Sequence, residues 1–128
     1  MANIFIFFSA LYGFIGVALG AYGAHKLKPY LNKINKFETY QTAVEYQFYH
    51  TCALLFVALL MSQPNQQIKC LQGAGILFAV GILIFSGSLY MLCLTNNNKW
   101  GMLTPFGGMF FLIGWVMLGL SVFSSNKW

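Results

Sequence analysis

Apolar residues run along this chain in four long blocks, and polar residues gather in the short stretches between them. The first block, residues 4–24, carries no charge, and as a helix it rises about 31 Å, one hydrocarbon thickness. Residues 37–62 form a second block whose first turns hold Thr39, Tyr40, Gln41 and Thr42, so its start is expected at or above the membrane interface. A third block covers 70–94 and a fourth 104–123. Between them lie a Lys-rich stretch at 26–36 around Pro29, a polar turn at 62–69 with Pro64, and the turn Asn96-Asn97-Asn98-Lys99 beside Trp100. Asn35-x-x-Glu38 reads as an N-cap with an acid in the first turn, and Thr104-Pro105 as an N-cap followed by proline at the first helical position. The pattern predicts an all-α membrane protein, an up-down bundle of four transmembrane helices, with residues 1–128 as a single integral membrane domain.

Small residues recur along these blocks at helical spacing. Ser9, Gly13, Gly16, Gly20 and Gly23 form one stripe on the first. Ala74, Gly81 and Ser88 on the third and Gly107, Gly114 and Ser121 on the fourth each repeat every seven residues. Such seams let helix backbones approach closely in lipid, and heptad spacing favours left-handed crossings. A cleaved signal peptide needs no such stripe and carries basic residues ahead of its apolar stretch, so the first block is expected to be retained.

Composition and charge narrow the class. The chain is 59% hydrophobic and 7% charged, against about 25% charged in a soluble domain, so it has no means of covering a water-facing surface. Its formal charge of +5 comes from seven lysines, with no arginine, against Glu38 and Glu45. These lysines sit in the connections, which argues against nucleic-acid binding and for a topology bias. Lys26, Lys28, Lys33, Lys36 and Lys99 lie on one side and Lys69 and Lys127 on the other. The positive-inside rule therefore places both termini on the non-cytoplasmic side. The abundance of Asn and Lys suggests an AT-rich genome, hence a bacterial cytoplasmic membrane. Cys52, Cys70 and Cys93, an odd set without a Cys-x-x-Cys, read as apolar fillers and not as a disulfide or zinc framework.

Chemistry has few carriers. Glu45 and His50 are ionisable groups where the second helix enters the bilayer, and such groups are functional candidates. Five residues apart, they stand about 140° apart on the helix. His50 instead shares a face with Tyr46 one turn earlier, Glu45 lies nearer Tyr49, and His25 closes the first helix on the same membrane side. His25, Glu45, Tyr46 and His50 are thus the candidate polar cluster, with two readings open: hydrogen-bonded ties between helices, or a ligand, lipid-headgroup or proton site. Haem held by His25 and His50 is a weaker variant. No metal site is expected, since there is no His-x-x-x-His and Glu45 is the one membrane carboxylate. No catalytic set is expected either, because no Gly-x-Ser-x-Gly surrounds the serines; Ser86-Gly87-Ser88 reads as close helix packing. Nor does any motif call for a cofactor.

Several segments together resemble a known family. Gly20-Ala21-Tyr22-Gly23-Ala24-His25, Thr42 through His50 (TAVEYQFYH), Phe85-Ser86-Gly87-Ser88-Leu89-Tyr90, Thr104-Pro105-Phe106-Gly107-Gly108 and Gly114-Trp115 occur in the order found in "domain of unknown function 423". That family includes bacterial YgdD-like proteins and the animal transmembrane protein 256 type. The resemblance implies a small multispanning membrane protein without an assigned activity. It sets His25, Glu45, Tyr46, Gln47 and His50 in one neighbourhood without giving them chemistry. The expected function is non-enzymatic, in membrane integrity or envelope homeostasis. An oligomeric small-solute or proton transporter using Glu45 and His50 is the alternative, and a membrane redox or lipid-modifying protein the second. The expected partners are the lipid bilayer and either further copies of the chain or another membrane protein.

Overall fold

The computed structural model describes residues 1–64, 66 and 68–123. Five α-helices follow in order: α1 (Ala2–Ala24), α2 (Lys28–Lys33), α3 (Phe37–Met61), α4 (Ile68–Thr95) and α5 (Thr104–Phe123), with a 3-10 turn at Asn98–Met102 before the last. The four long ones are long and apolar enough to cross a membrane, so the all-α membrane bundle read from the blocks is what the chain forms. Backbone N–H and C=O groups in hydrocarbon must find partners within their own segment, and apolar stretches of this length have no solution but the helix.

α3 and α4 form the middle of the bundle. α1 packs on α3 and touches α4 lightly, and α5 packs on α4. Close approach rests on glycine. Gly13, Gly16, Gly20 and Gly23 descend α1 against Thr51, Phe48, Val44 and Tyr40 of α3, an antiparallel register. Between α4 and α5 a glycine also meets the opposing backbone itself. A Cβ on Gly107 would stand 2.5 Å from the Phe85 backbone nitrogen, one on Gly81 would stand 2.7 Å from the Phe111 ring, and one on Gly114 would stand 2.8 Å from the Phe78 ring. Ala74, Gly81 and Ser88 of α4 and Gly107, Gly114 and Ser121 of α5 are all buried.

Two local expectations are corrected. Asn35 does not cap α3: Lys36 holds that position and makes no side-chain cap bond. Asn35 instead takes φ 56° and ends α2, with its N–H on the Asn32 carbonyl and the Lys36 N–H on Leu31. These are the paired bonds of a left-handed helix stop, a conformation asparagine tolerates better than most residues. Ser86-Gly87-Ser88 also divides its work. Ser86 and Ser88 are buried, but a Cβ on Gly87 would meet nothing within 4 Å.

The basic connection is structured. Leu31 of α2 is fully buried beside Tyr40, Leu92 and Cys93. The Tyr30 hydroxyl donates to the Cys93 carbonyl at 3.2 Å, and the Lys28 ammonium stands 5.4 Å from the centre of the Phe37 ring. The membrane face formed by the ends of α1 and α4 and the starts of α3 and α5 thus carries Lys26, Lys28, Lys33, Lys36 and Lys99. Lys69 begins α4 at the other face, and Lys127 lies outside the described residues.

Candidate functional site

The polar residues of α3 fall on opposite sides of the helix. His50 is 6% exposed. Its Nδ1 lies 2.8 Å from the Tyr46 carbonyl oxygen, and Trp115 Nε1 of α5 donates to its Nε2 at 3.1 Å. The indole nitrogen is a donor only and a carbonyl is an acceptor only. The two bonds therefore require one form of the ring, the neutral imidazole with its proton on Nδ1. The ring lies flat on Phe111, with centroids 3.5 Å apart and planes at 7°. Phe78 and Trp115 close around it at 5.8 and 5.9 Å. Tyr46 stacks on His50 at 6.0 Å and on Phe85 at 4.7 Å. An aromatic box drawn from α3, α4 and α5 holds the histidine, and a groove lined by Tyr46, Tyr49, His50, Met109, Leu112 and Trp115 opens from it to the bundle surface.

Gln47, on the face toward α1 and α4, is 2% exposed and ties three helices. Its Nε2 donates to the Tyr12 carbonyl of α1 at 2.7 Å, and its Oε1 accepts from the Tyr90 hydroxyl of α4 at 2.6 Å. The Tyr12 hydroxyl in turn donates to Ala79 of α4 at 2.9 Å. Ser86 Oγ donates to the Ala43 carbonyl at 2.7 Å, and Ser88 and Thr104 share a bond at 2.6 Å. Thr51 Oγ1 is the buried side-chain oxygen without a partner among the described residues.

The four cluster candidates therefore separate. Tyr46 and His50 stay together, as one-turn spacing on a helix dictates. His25 is exposed at the end of α1, near the level of Tyr40, which Gly23 touches. His50 is ten residues deeper on α3, about 15 Å along the axis, so one haem iron does not reach both histidines. Glu45 is exposed and lines a groove against α1 with Gly20, Gly23, Ala24 and Gln41, on another side of α3 from the box. A single pathway through Glu45 and His50 has no shared lining here. No cluster of three or more His, Cys, Asp or Glu that could hold a metal occurs among the described residues.

Sequence reasoning passed over Trp115, Phe111, Tyr12 and Tyr90 as polar or aromatic partners, and set Gln47 beside His50 only through the family resemblance. Gln47 alone carried a signal in its own residue type: an uncharged amide in a membrane helix carries donors and an acceptor that hydrocarbon leaves unpaired, so it seeks partners on neighbouring helices. Trp115 and Phe111 stand 65 and 61 residues from His50, and helical periodicity within one segment does not report such contacts.

Comparison with known proteins gives a family and a membrane setting. The model of a family described as "Protein of unknown function (DUF423)" matches residues 19–108. A UPF0382 membrane protein of Haemophilus influenzae is 40% identical over 127 residues, 99% of each chain. A UPF0382 membrane protein of Staphylococcus aureus is 38% identical over 94% of this chain and 96% of its own. The UPF0382 inner membrane protein YgdD of Escherichia coli is 38% identical over 91% of this chain and 87% of its own. No solved structure matches.

Proposed function

This chain belongs to the DUF423 family of proteins of unknown function, and on that premise we propose that it is a non-enzymatic component of the bacterial inner membrane that supports envelope integrity. Both termini face away from the cytoplasm in this reading. The observation that carries it is the use made of the buried polar groups: the Gln47 and His50 side chains bond to α1, α4 and α5 and hold the bundle together. Interhelical bonds of this kind are worth about 0.6 kcal/mol on average in a membrane, and here they join every long helix to another. The location is supported by the name of the E. coli relative, and the orientation by the lysines gathered at one membrane face.

The experiment is deletion of the gene in its host, scored by entry of a dye that intact envelopes exclude and by growth under osmotic stress. Increased permeability, restored by the wild-type gene, is the expected result. Unchanged permeability together with catalytic turnover or a retained chromophore in the purified protein would overturn the proposal. Orientation is read by placing a cysteine at Ala2 in a chain whose three cysteines are replaced. An impermeant maleimide should label it from outside intact spheroplasts; labelling only after lysis reverses the assignment.

A further inference from the structure

Gly87 sits in the C-terminal half of α4 between two serines that face inward, Ser86 toward α3 and Ser88 toward α5. A glycine inside a helix costs about 1 kcal/mol relative to alanine. At Gly73, Gly75 and Gly81 the missing side chain makes room for Met117, Phe5 and Phe111. At Gly87 nothing occupies the room. Gly87 instead lines a groove of about 580 Å³ along the α4–α5 seam, walled also by Leu83, Ile84, Met91, Phe106 and Phe110. That volume is ample for a small apolar molecule.

The groove has a polarity gradient. From Met91 down to Leu83 it descends eight residues of α4, about 12 Å, and this stretch is apolar except for the Ser88 hydroxyl, already bonded to Thr104. At its upper end stand Trp100 and Leu103, in and beside the 3-10 turn that also carries exposed Lys99. This mouth opens on the membrane face that holds five lysines against Glu38 and Glu45. Among the described residues none of those five ammonium groups is held in an ion pair. An apolar slot below a cationic face fits an amphiphile with a negative head.

We propose that the groove holds one acyl chain of an anionic phospholipid, with its phosphate-bearing headgroup at Lys99. Inside a bilayer the chain gains nothing from leaving water. It is retained by dispersion contact with a shaped wall, and headgroup selection comes from the lysine face. This inference stands whether or not the envelope role does.

The test is native mass spectrometry of the full-length protein, purified in mild detergent and equilibrated with mixed micelles of phosphatidylglycerol and phosphatidylcholine. The wild type should retain one phosphatidylglycerol in preference. Gly87→Leu projects into the slot and should lower retention about tenfold, with helix content and oligomeric state unchanged. Lys99→Gln should lower the headgroup preference about fivefold, the equivalent of about 1 kcal/mol per lysine near an anionic surface. Met91→Trp, at an exposed lining position, fills the same slot if the leucine variant does not fold. Retention without headgroup preference, or filled variants that bind as the wild type does, would overturn the proposal. So would a wild-type dimer that Gly87→Leu dissociates with lipid unaffected, since the groove would then be an interface between copies.

Discussion

Gly107→Ala tests the approach of α5 to the α4 backbone. The new Cβ would stand 2.5 Å from the Phe85 nitrogen, 2.7 Å from its Cβ and 2.8 Å from its Cα. Ordinary contact between such atoms is about 3.5–4.0 Å, so roughly 1 Å must be found. Two of the three opposing atoms are backbone, and no rotamer change relieves them. α5 must therefore move off α4, pulling at the Ser88–Thr104 bond and at the Phe111 ring seated on Gly81. Overpacking of this kind costs about 1–3 kcal/mol; a weakened interhelical bond adds about 0.6 kcal/mol, and alanine's better helix propensity returns up to about 1 kcal/mol. The expected net is a destabilisation of about 1–3 kcal/mol. Gly87→Ala is the matched control, because its Cβ meets nothing and only the propensity gain applies. Both are measured by unfolding the detergent-solubilised protein with rising SDS and following far-ultraviolet circular dichroism. If the two variants shift the midpoint equally, Gly107 does not lie against the Phe85 backbone.

Other residues give sharper readings of the polar ties. Gln47→Leu strands the Tyr90 hydroxyl, removes the second bond at the Tyr12 carbonyl and should cost about 1–3 kcal/mol; combined with Tyr90→Phe, the cycle should show coupling of about 1 kcal/mol, and additive losses would mean that the two side chains do not meet. Nitrogen-15 NMR of labelled histidine should find His50 as the neutral Nδ1–H imidazole at neutral pH. Trp115→Phe should change its Nε2 shift, and an Nε2–H tautomer in the wild type would refute the bond to Trp115. His25→Ala should leave stability within about 0.5 kcal/mol, as for other exposed positions without partners; a large loss would mean that His25 has joined a cluster after all.

The four spans were legible in the chain because hydrocarbon leaves a segment so few options. The blocks at 37–62 and 104–123 differ from Phe37–Met61 and Thr104–Phe123 by at most one residue, since length and apolarity alone set them. Tyr46 beside His50 was equally legible, because helical geometry guarantees contact at one-turn spacing. Asn35 misled because asparagine serves helix starts and left-handed stops alike, and only the bonds to Asn32 and Leu31 distinguish them.

What tertiary structure alone decided is which partner each polar group faces. A helix fixes the angle between Glu45 and His50, but not which neighbour lies at each angle. Nothing local to α3 indicates that Trp115 supplies the proton donor to His50, or that Tyr12 and Tyr90 meet at Gln47 from two other helices. The stripe of glycines marked where backbones are able to approach, and the packing then chose among them: Gly107 against the backbone of Phe85, Gly23 under the ring of Tyr40, and Gly87 against no neighbour. Composition and spacing are properties of single helices, and they determined that this protein spans a membrane four times. The histidine box and the open groove are properties of helix pairs, and they exist only once α3, α4 and α5 have docked.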